Sequence, residues 1–198
     1  MIAVIDYKAG NLTSVMKALH AAGAEATVTS DPEVVAAAEK LVLPGVGHFS
    51  ATSFLEEHGL KPVIEQRVQA GVPFFGICVG LQWLFEGSTE SPQTRGLGVF
   101  SGRCERFDSK LKVPHVGWNS IDVSQSKLME GVDSGAFVYF THSFRAPVVS
   151  ETVAVTGYGS AFTAAVERGN VMGVQFHPEK SGSVGLRILE NFVRLSKC

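Results

Sequence analysis

The first half of the chain alternates short extended runs with segments of helical apolar spacing, and few folds accept that rhythm. Residues 2–5 form a continuous apolar run rich in β-branched side chains, followed by the turn-forming Lys8, Ala9, Gly10 and Asn11. Val15, Met16 and Leu19 then recur at helical intervals up to Gly23, which predicts an amphipathic helix opening near Asn11. The pattern repeats: an extended run at 25–29 precedes an alanine-rich helix at 32–38, and a run at 40–43 leads through Pro44, Gly45, Val46 and Gly47 to a helix bearing Leu60, Val63, Ile64 and Val68. A fourth run, 73–77, stops at Cys78, and Leu81, Leu84 and Phe85 restore helical spacing. Apolar strands separated by helices predict a parallel sheet covered on both faces.

From Gly96 onward the texture changes. Strand-like segments at 98–107, 116–123, 136–144, 153–158, 163–166 and 171–175 follow one another with little helix between them, which predicts an antiparallel or mixed extension. A last helix at about 184–195, with Ile188, Leu189, Phe192 and Val193 apolar, closes the pattern. Residues 87–95 are the most linker-like stretch and read as a surface loop within one domain spanning 1–198. A chain of 198 residues is long enough to bury a substantial core unaided. With 17 Lys+Arg against 19 Asp+Glu, the net charge of −2 argues against a nucleic-acid or membrane-surface binder, which would carry a basic excess. Cys78, Cys104 and Cys198 are too scattered for a disulfide framework or a zinc site. No basic leader and no apolar run of the ~20 residues a membrane span needs is seen, so a cytoplasmic setting is expected.

Gly76-Ile77-Cys78-Val79-Gly80 sets a cysteine between two glycines where a strand meets a helix. Such an elbow needs little bulk on either side of the nucleophile. It also places the sulfur at the positive end of the helix dipole, which favours the reactive thiolate. The backbone N–H of Val79 would then face an oxygen on the attacked carbon, and Gln82, one helical turn on, would share the face of Cys78. Taken alone, the segment equally describes a buried structural cysteine at a tight turn.

A base decides between them. Of six histidines, His177 follows the apolar run 171–176 and precedes Pro178-Glu179. The proline stiffens the bend, so the Glu179 carboxylate can hold one ring nitrogen while the other faces a thiol. No third ligand stands at metal spacing, so no metal and no cofactor is expected. The order cysteine, histidine, glutamate also suits an α/β sheet whose site gathers at the carboxyl ends of its strands.

With both segments in view, the chain resembles the class I glutamine amidotransferases, whose fold is a flavodoxin-like α/β sheet with a mixed extension. The likeness runs nearly end to end, through Ile5-Asp6-Tyr7 with Gly10-Asn11-Leu12, Leu43-Pro44-Gly45-Val46-Gly47, the Cys78 and His177 segments, Pro114-His115-Val116-Gly117-Trp118-Asn119, and Tyr139-Phe140-Thr141-His142-Ser143-Phe144. Within the class, the opening, Pro44-Gly45-Val46-Gly47 and the last two segments resemble the glutaminase subunits of imidazole glycerol phosphate synthases, enzymes of histidine biosynthesis. Where this family usually has glycine, leucine and tyrosine, the chain has Lys8, Val79 and Phe144.

The resemblance implies that Cys78 attacks the side-chain amide of L-glutamine to give a thioester, with His177 as proton carrier and Glu179 orienting it. It implies an oxyanion held by the N–H groups of Val79 and Val46, and substrate held by Gly47, Gln82 and the backbone around His142 and Ser143. Glycines on both sides of Val46 would let its peptide turn over, making the oxyanion donor a switch; a plain tight turn is the alternative. Asn11, Trp118, Tyr139, Lys180 and His142 become candidates for a partner face. The implied partner is a (β/α)8 cyclase subunit, paired one to one, that receives ammonia and forms imidazole glycerol phosphate and an aminoimidazole carboxamide ribonucleotide. Competing readings are another triad glutaminase, such as that of pyridoxal phosphate synthase, a free γ-glutamyl hydrolase, or a non-catalytic flavodoxin-like binding module.

Overall fold

The computed structural model describes residues 1–196, so Cys198 lies outside the described residues. Strands β1 (Ile2–Ile5), β2 (Ala26–Thr29), β3 (Lys40–Gly45) and β4 (Phe74–Cys78) alternate with helices α1 (Leu12–Ala21), α2 (Pro32–Ala37), α3 (Ser53–Glu57) and α4 (Leu60–Gln69), and α5 (Val79–Leu84) follows β4 directly. Three short strands come next, β5 (Gly87–Ser88), β6 (Ser91–Arg95) and β7 (Arg103–Arg106). The remainder is β8 (His115–Val123), β9 (Ala136–His142), β10 (Phe144–Arg145), β11 (Thr152–Tyr158), β12 (Ser160–Arg168), β13 (Val171–Val174) and α6 (Gly182–Arg194).

Nine strands form one sheet in the order β2-β1-β3-β4-β13-β12-β11-β8-β9. The first five run parallel and the rest antiparallel, giving the parallel sheet with a mixed extension that the sequence predicts. Strands β1, β3, β4 and β13 are buried almost throughout, because helices flank the sheet: α1 packs against α6, and α2 against α4. Asn11 opens α1 as expected, its Oδ1 accepting from Ser14 N at 3.4 Å.

Two segments differ from the sequence reading. Residues 87–95, expected as a loop, pair as the β5–β6 hairpin in a second sheet ordered β10-β7-β5-β6. Of 98–107 only Arg103–Arg106 is strand. Leu97, Gly98 and Phe100 instead donate their N–H groups to the carbonyls of Trp83, Phe85 and Leu84 at 2.6, 3.1 and 3.1 Å, satisfying the end of α5, and a backbone spent there cannot join a ladder. The strand expected at 136–144 breaks at Ser143, where the chain leaves the large sheet and enters the small one as β10. The 3₁₀ turn Phe49–Thr52 and α3 went unread; Phe49, Thr52 and Leu55 anchor them in the core.

Lys8 stands at φ 65°, the left-handed region where the glycine usual in the family it resembles is at ease. Its N–H donates to Asp6 Oδ1 at 2.8 Å, which holds the turn despite the side chain.

Helix α5 lies unusually close to the sheet. A Cβ on Gly80 would fall 1.9 Å from the Leu43 carbonyl oxygen, and one on Gly76 would fall 2.5 Å from that of Gly80. Gly80→Ala must therefore push α5 off β3 and is expected to destabilise by about 3 kcal/mol. Gly157→Ala, whose Cβ meets nothing within 4 Å, should stay within about 0.5 kcal/mol of wild type. Paired denaturant melts measure the difference.

Candidate active site

The contact between α5 and β3 fixes the geometry of residue 78. Cys78 ends β4 and precedes α5 with φ 55° and ψ −105°, a backbone conformation foreign to a β-branched or bulky residue. Its register partner in β3 is Gly45, so the Cys78 turn and the Gly45-Val46-Gly47 segment emerge side by side at the carboxyl ends of adjacent strands. They open into a cleft of about 240 Å³ lined by Val46, Gly47, Cys78, Val79, Gln82, His142 and Ser143. All four residues expected to hold substrate thus line one space with the sulfur and both expected oxyanion donors. A larger depression of about 670 Å³ over residues 123–134 contains Glu167, but that carboxylate already accepts from the N–H groups of Lys127 and Leu128 at 3.2 and 2.9 Å, and neither cysteine nor histidine lines it.

His177 follows β13, the parallel neighbour of β4, which brings it from ninety-nine residues away to the sulfur's side. The bend is firmly held: His177 N donates to the Tyr139 carbonyl at 2.9 Å, and Ser181 Oγ donates to the His177 carbonyl at 2.6 Å. Nδ1 of the ring lies 2.9 Å from Glu179 Oε1, with both side chains almost wholly buried. Burial opposes charge on the ring, but the Cys78 sulfur and the Glu179 carboxylate outweigh it, and the imidazole is pushed up to about 10. Nε2, the ring nitrogen left for a thiol, has no hydrogen-bond partner of ordinary geometry; catalytic hydrogen bonds of this kind often tighten only once substrate is bound.

His142 follows the opposite logic. Burial drives its pKa down to about 3, with the charges of His115 and His177 adding to the effect. It is neutral, its Nδ1 donating to the Phe144 carbonyl at 2.8 Å and its Nε2 accepting from His115 Nδ1 at 3.1 Å. At 6% exposure the ring is committed to the interior, which removes it from the candidate partner face.

The other partner-face candidates divide. Trp118 and Tyr139 are cross-strand partners in β8–β9 with ring centroids 6.1 Å apart, and Lys180 Nζ sits 5.8 Å over the Tyr139 ring. Val116, Trp118 and Phe137 are 56, 55 and 59% exposed, an apolar strip on the outward side of this ribbon. Asn11 is half-buried, its side chain occupied by the α1 cap, on a helix that packs beside Pro178–Lys180.

Several site residues escaped the sequence reading. Glu90, at the β5–β6 turn, lines the cleft and accepts from Phe49 N at 2.8 Å. Tyr7 is buried beneath Gly45, its hydroxyl unpartnered and its pKa raised first by burial and then by Cys78. Gln175 lies against the nucleophile, with Nε2 3.6 Å from Cys78 Sγ. Only Glu90 had a local signal, a carboxylate in a polar turn. No group of His, Cys, Asp and Glu among the described residues is arranged to hold a metal ion. No helix among them is long and apolar enough to cross a membrane.

Residues 3–195 match the family model "Glutamine amidotransferase class-I". The chain is 51% identical over 202 residues to the imidazole glycerol phosphate synthase subunit HisH of Thermococcus kodakarensis, with 98% of this chain and 100% of that one covered. It is 50% identical over 203 residues to the subunit of the same name in Syntrophotalea carbinolica, covering 97% and 98%. A glutamine amidotransferase of known crystal structure superposes with a TM-score of 0.77 over 97% of this chain and 99% of its own, at 23% identity, a likeness that speaks to fold alone. On the family match and these full-length relatives, the chain belongs to the class I glutamine amidotransferases.

Proposed function

We propose that this chain is the glutaminase subunit of an imidazole glycerol phosphate synthase, releasing ammonia from L-glutamine for a partner cyclase. The observation that carries the chemistry is the buried His177–Glu179 pair beside a cysteine held in a strained elbow at the cleft floor. The relatives named above carry the choice of synthase.

Cys78 attacks the amide carbon as a thiolate, its proton held by His177. The negative oxygen is met by the N–H groups of Val79 and Val46, and each such donor is worth on the order of 10² to 10³ in rate. His177 passes the proton to the leaving ammonia and then activates the water that cleaves the thioester, while Glu179 steadies the imidazolium. Gln82 has both Nε2 hydrogens committed, to the Phe144 carbonyl at 2.9 Å and to Gln175 Oε1 at 3.2 Å, so Oε1 is the atom left to accept from substrate. Gly47 and the Ser143 backbone complete the cradle. In water ammonia is protonated and lost as a nucleophile. A partner seated on the Trp118–Tyr139–Lys180 face, beside Thr141 at the cleft rim, keeps it dry. The partner is a (β/α)8 cyclase subunit in a one-to-one pair, and the isolated chain is a weak glutaminase until that partner sets the Val46 peptide.

Three variants test this reading. Cys78→Ala abolishes glutamine-dependent synthesis by the reconstituted complex while synthesis fed with free ammonia continues; loss of both would make the cysteine structural. Glu179→Gln lowers glutamine turnover by on the order of 10² to 10⁴. Because the His177 pKa is raised from 6.5 to about 10, the stability drawn from its charge is full below pH 6.5 and lost as pH rises through about 10. The gap in unfolding free energy between wild type and Glu179→Gln therefore closes over that window. Trp118→Ala weakens cyclase binding roughly 30-fold, as calorimetry would read, with the melting point little changed.

A further inference from the structure

Gln175 has no part in the chemistry described so far, yet it is fully buried against the nucleophile. It follows β13 and precedes His177 by two residues, with Nε2 3.6 Å from Cys78 Sγ and Oε1 3.2 Å from Gln82 Nε2. An amide seen only as heavy atoms can be turned either way, but here its direction is dictated from outside. The Phe144 carbonyl oxygen can only accept, so Gln82 must present its NH₂ to it at 2.9 Å. The second hydrogen of that NH₂ points at Gln175 and requires an oxygen there. Gln175 must then turn its own NH₂ toward the sulfur. His142 anchors the same carbonyl from the other side, its Nδ1–H donating at 2.8 Å, and His115 fixes that tautomer by donating to Nε2 at 3.1 Å.

We infer that Gln175 is a dedicated hydrogen-bond donor to the Cys78 thiolate, aimed by Gln82 and the Phe144 carbonyl, and that it shares the stabilisation of the sulfur anion with His177. The assignment rests on Cys78 being the nucleophile. A neutral thiol at this point gives a weak hydrogen to the Thr141 carbonyl at 4.0 Å and accepts weakly from Gln175. With the proton on His177 the donation from Gln175 is charge-assisted and stronger, so it favours the thiolate over the thiol. Sequence position explains the economy of the device. Gln175 and His177 stand two residues apart in the connection that leaves β13, so one segment brings both the donor and the base to the sulfur.

The test reads the sulfur directly. In the full-length chain, alkylation of Cys78 by iodoacetamide is followed across pH by peptide-resolved mass spectrometry, which separates it from Cys104, itself buried with its thiol pKa pushed up. Gln175→Met keeps an unbranched side chain but has no donor. It should slow alkylation at neutral pH on the order of tenfold and move the profile to higher pH. His177 and Glu179 from the β13–α6 connection, His142 at the end of β9, Tyr7 after β1 and Glu90 across the cleft are the titratable groups around the sulfur, and all remain in the variant. A folded Gln175→Met chain with an unchanged profile overturns the assignment, whatever happens to ammonia release. Should the variant not fold, the native chain decides. The Gln175 side-chain NH₂ resonances must shift with pH together with Cys78 and lose that shift in Cys78→Ala; resonances indifferent to the cysteine overturn it equally. Absence of glutamine hydrolysis by the wild-type chain paired with its cyclase would sink the functional proposal, whereas the alkylation profile alone decides whether Gln175 donates to the sulfur.

Discussion

The approach of α5 to β3 is the constraint on which the site depends. With only hydrogen at residue 80, the helix backbone settles against the Leu43 carbonyl, and the chain can leave β4 and enter α5 with no residue between strand and helix. The residue at the junction is Cys78, and its left-handed φ of 55° goes with that abrupt change of direction. Strain of this kind costs on the order of 1 to 3 kcal/mol and persists only where the surroundings over-determine it. Here β3 and β13 hold β4 from both sides, and Leu81 and Leu84 lock α5 into the core. The sulfur is presented at the helix N-terminus with the Val79 amide next to it. Neither is free to relax without unseating the core.

Around that fixed point, burial acts on two imidazoles in opposite senses. His177 and His142 are both nearly inaccessible, so both lose hydration of the charged ring. His177 has a carboxylate and a sulfur as neighbours, and its charge is retained. His142 has a carbonyl to donate to and two other imidazoles nearby, and its charge is suppressed down to about 3. One ring therefore carries protons, while the other is a neutral strut whose tautomer orients the Phe144 carbonyl. Identical side chains at similar depth acquire different work from what lies within a few ångströms.

This explains which parts were legible in the sequence. The parallel strands are continuous apolar runs because both faces are buried, and Cys78, His177 and Glu179 stand out because their chemistry is carried by residue type in a short local pattern. The β5–β6 hairpin was hidden because its strands are polar, half-exposed and short, with no periodicity to separate them from a loop. Residues 97–100 look like strand, but their amides terminate a helix, an assignment that exists only once α5 is folded beside them. Gln175 was concealed most completely. It lies inside an apolar run with only its type to mark it, and its significance comes from Gln82, 93 positions earlier in the chain.

The edge of the large sheet joins the chemistry to the surface. An edge strand leaves a row of amides and carbonyls unpaired and invites association. On β9 part of that edge is closed by the catalytic segment itself: His177 N donates to the Tyr139 carbonyl, and Tyr139 N donates to Ser181 Oγ at 3.0 Å. The backbone of Tyr139 therefore positions the base, while its side chain faces outward between Trp118 and Lys180. A subunit pressing on that ring acts on the strand whose carbonyl and amide clamp residues 177 to 181. Thr141, two residues further along the same face, reaches the cleft rim beside the sulfur. The proposed partner surface and the proton carrier are thus two sides of one strand, and a load on the first would reach the second through two hydrogen bonds, with no moving domain required.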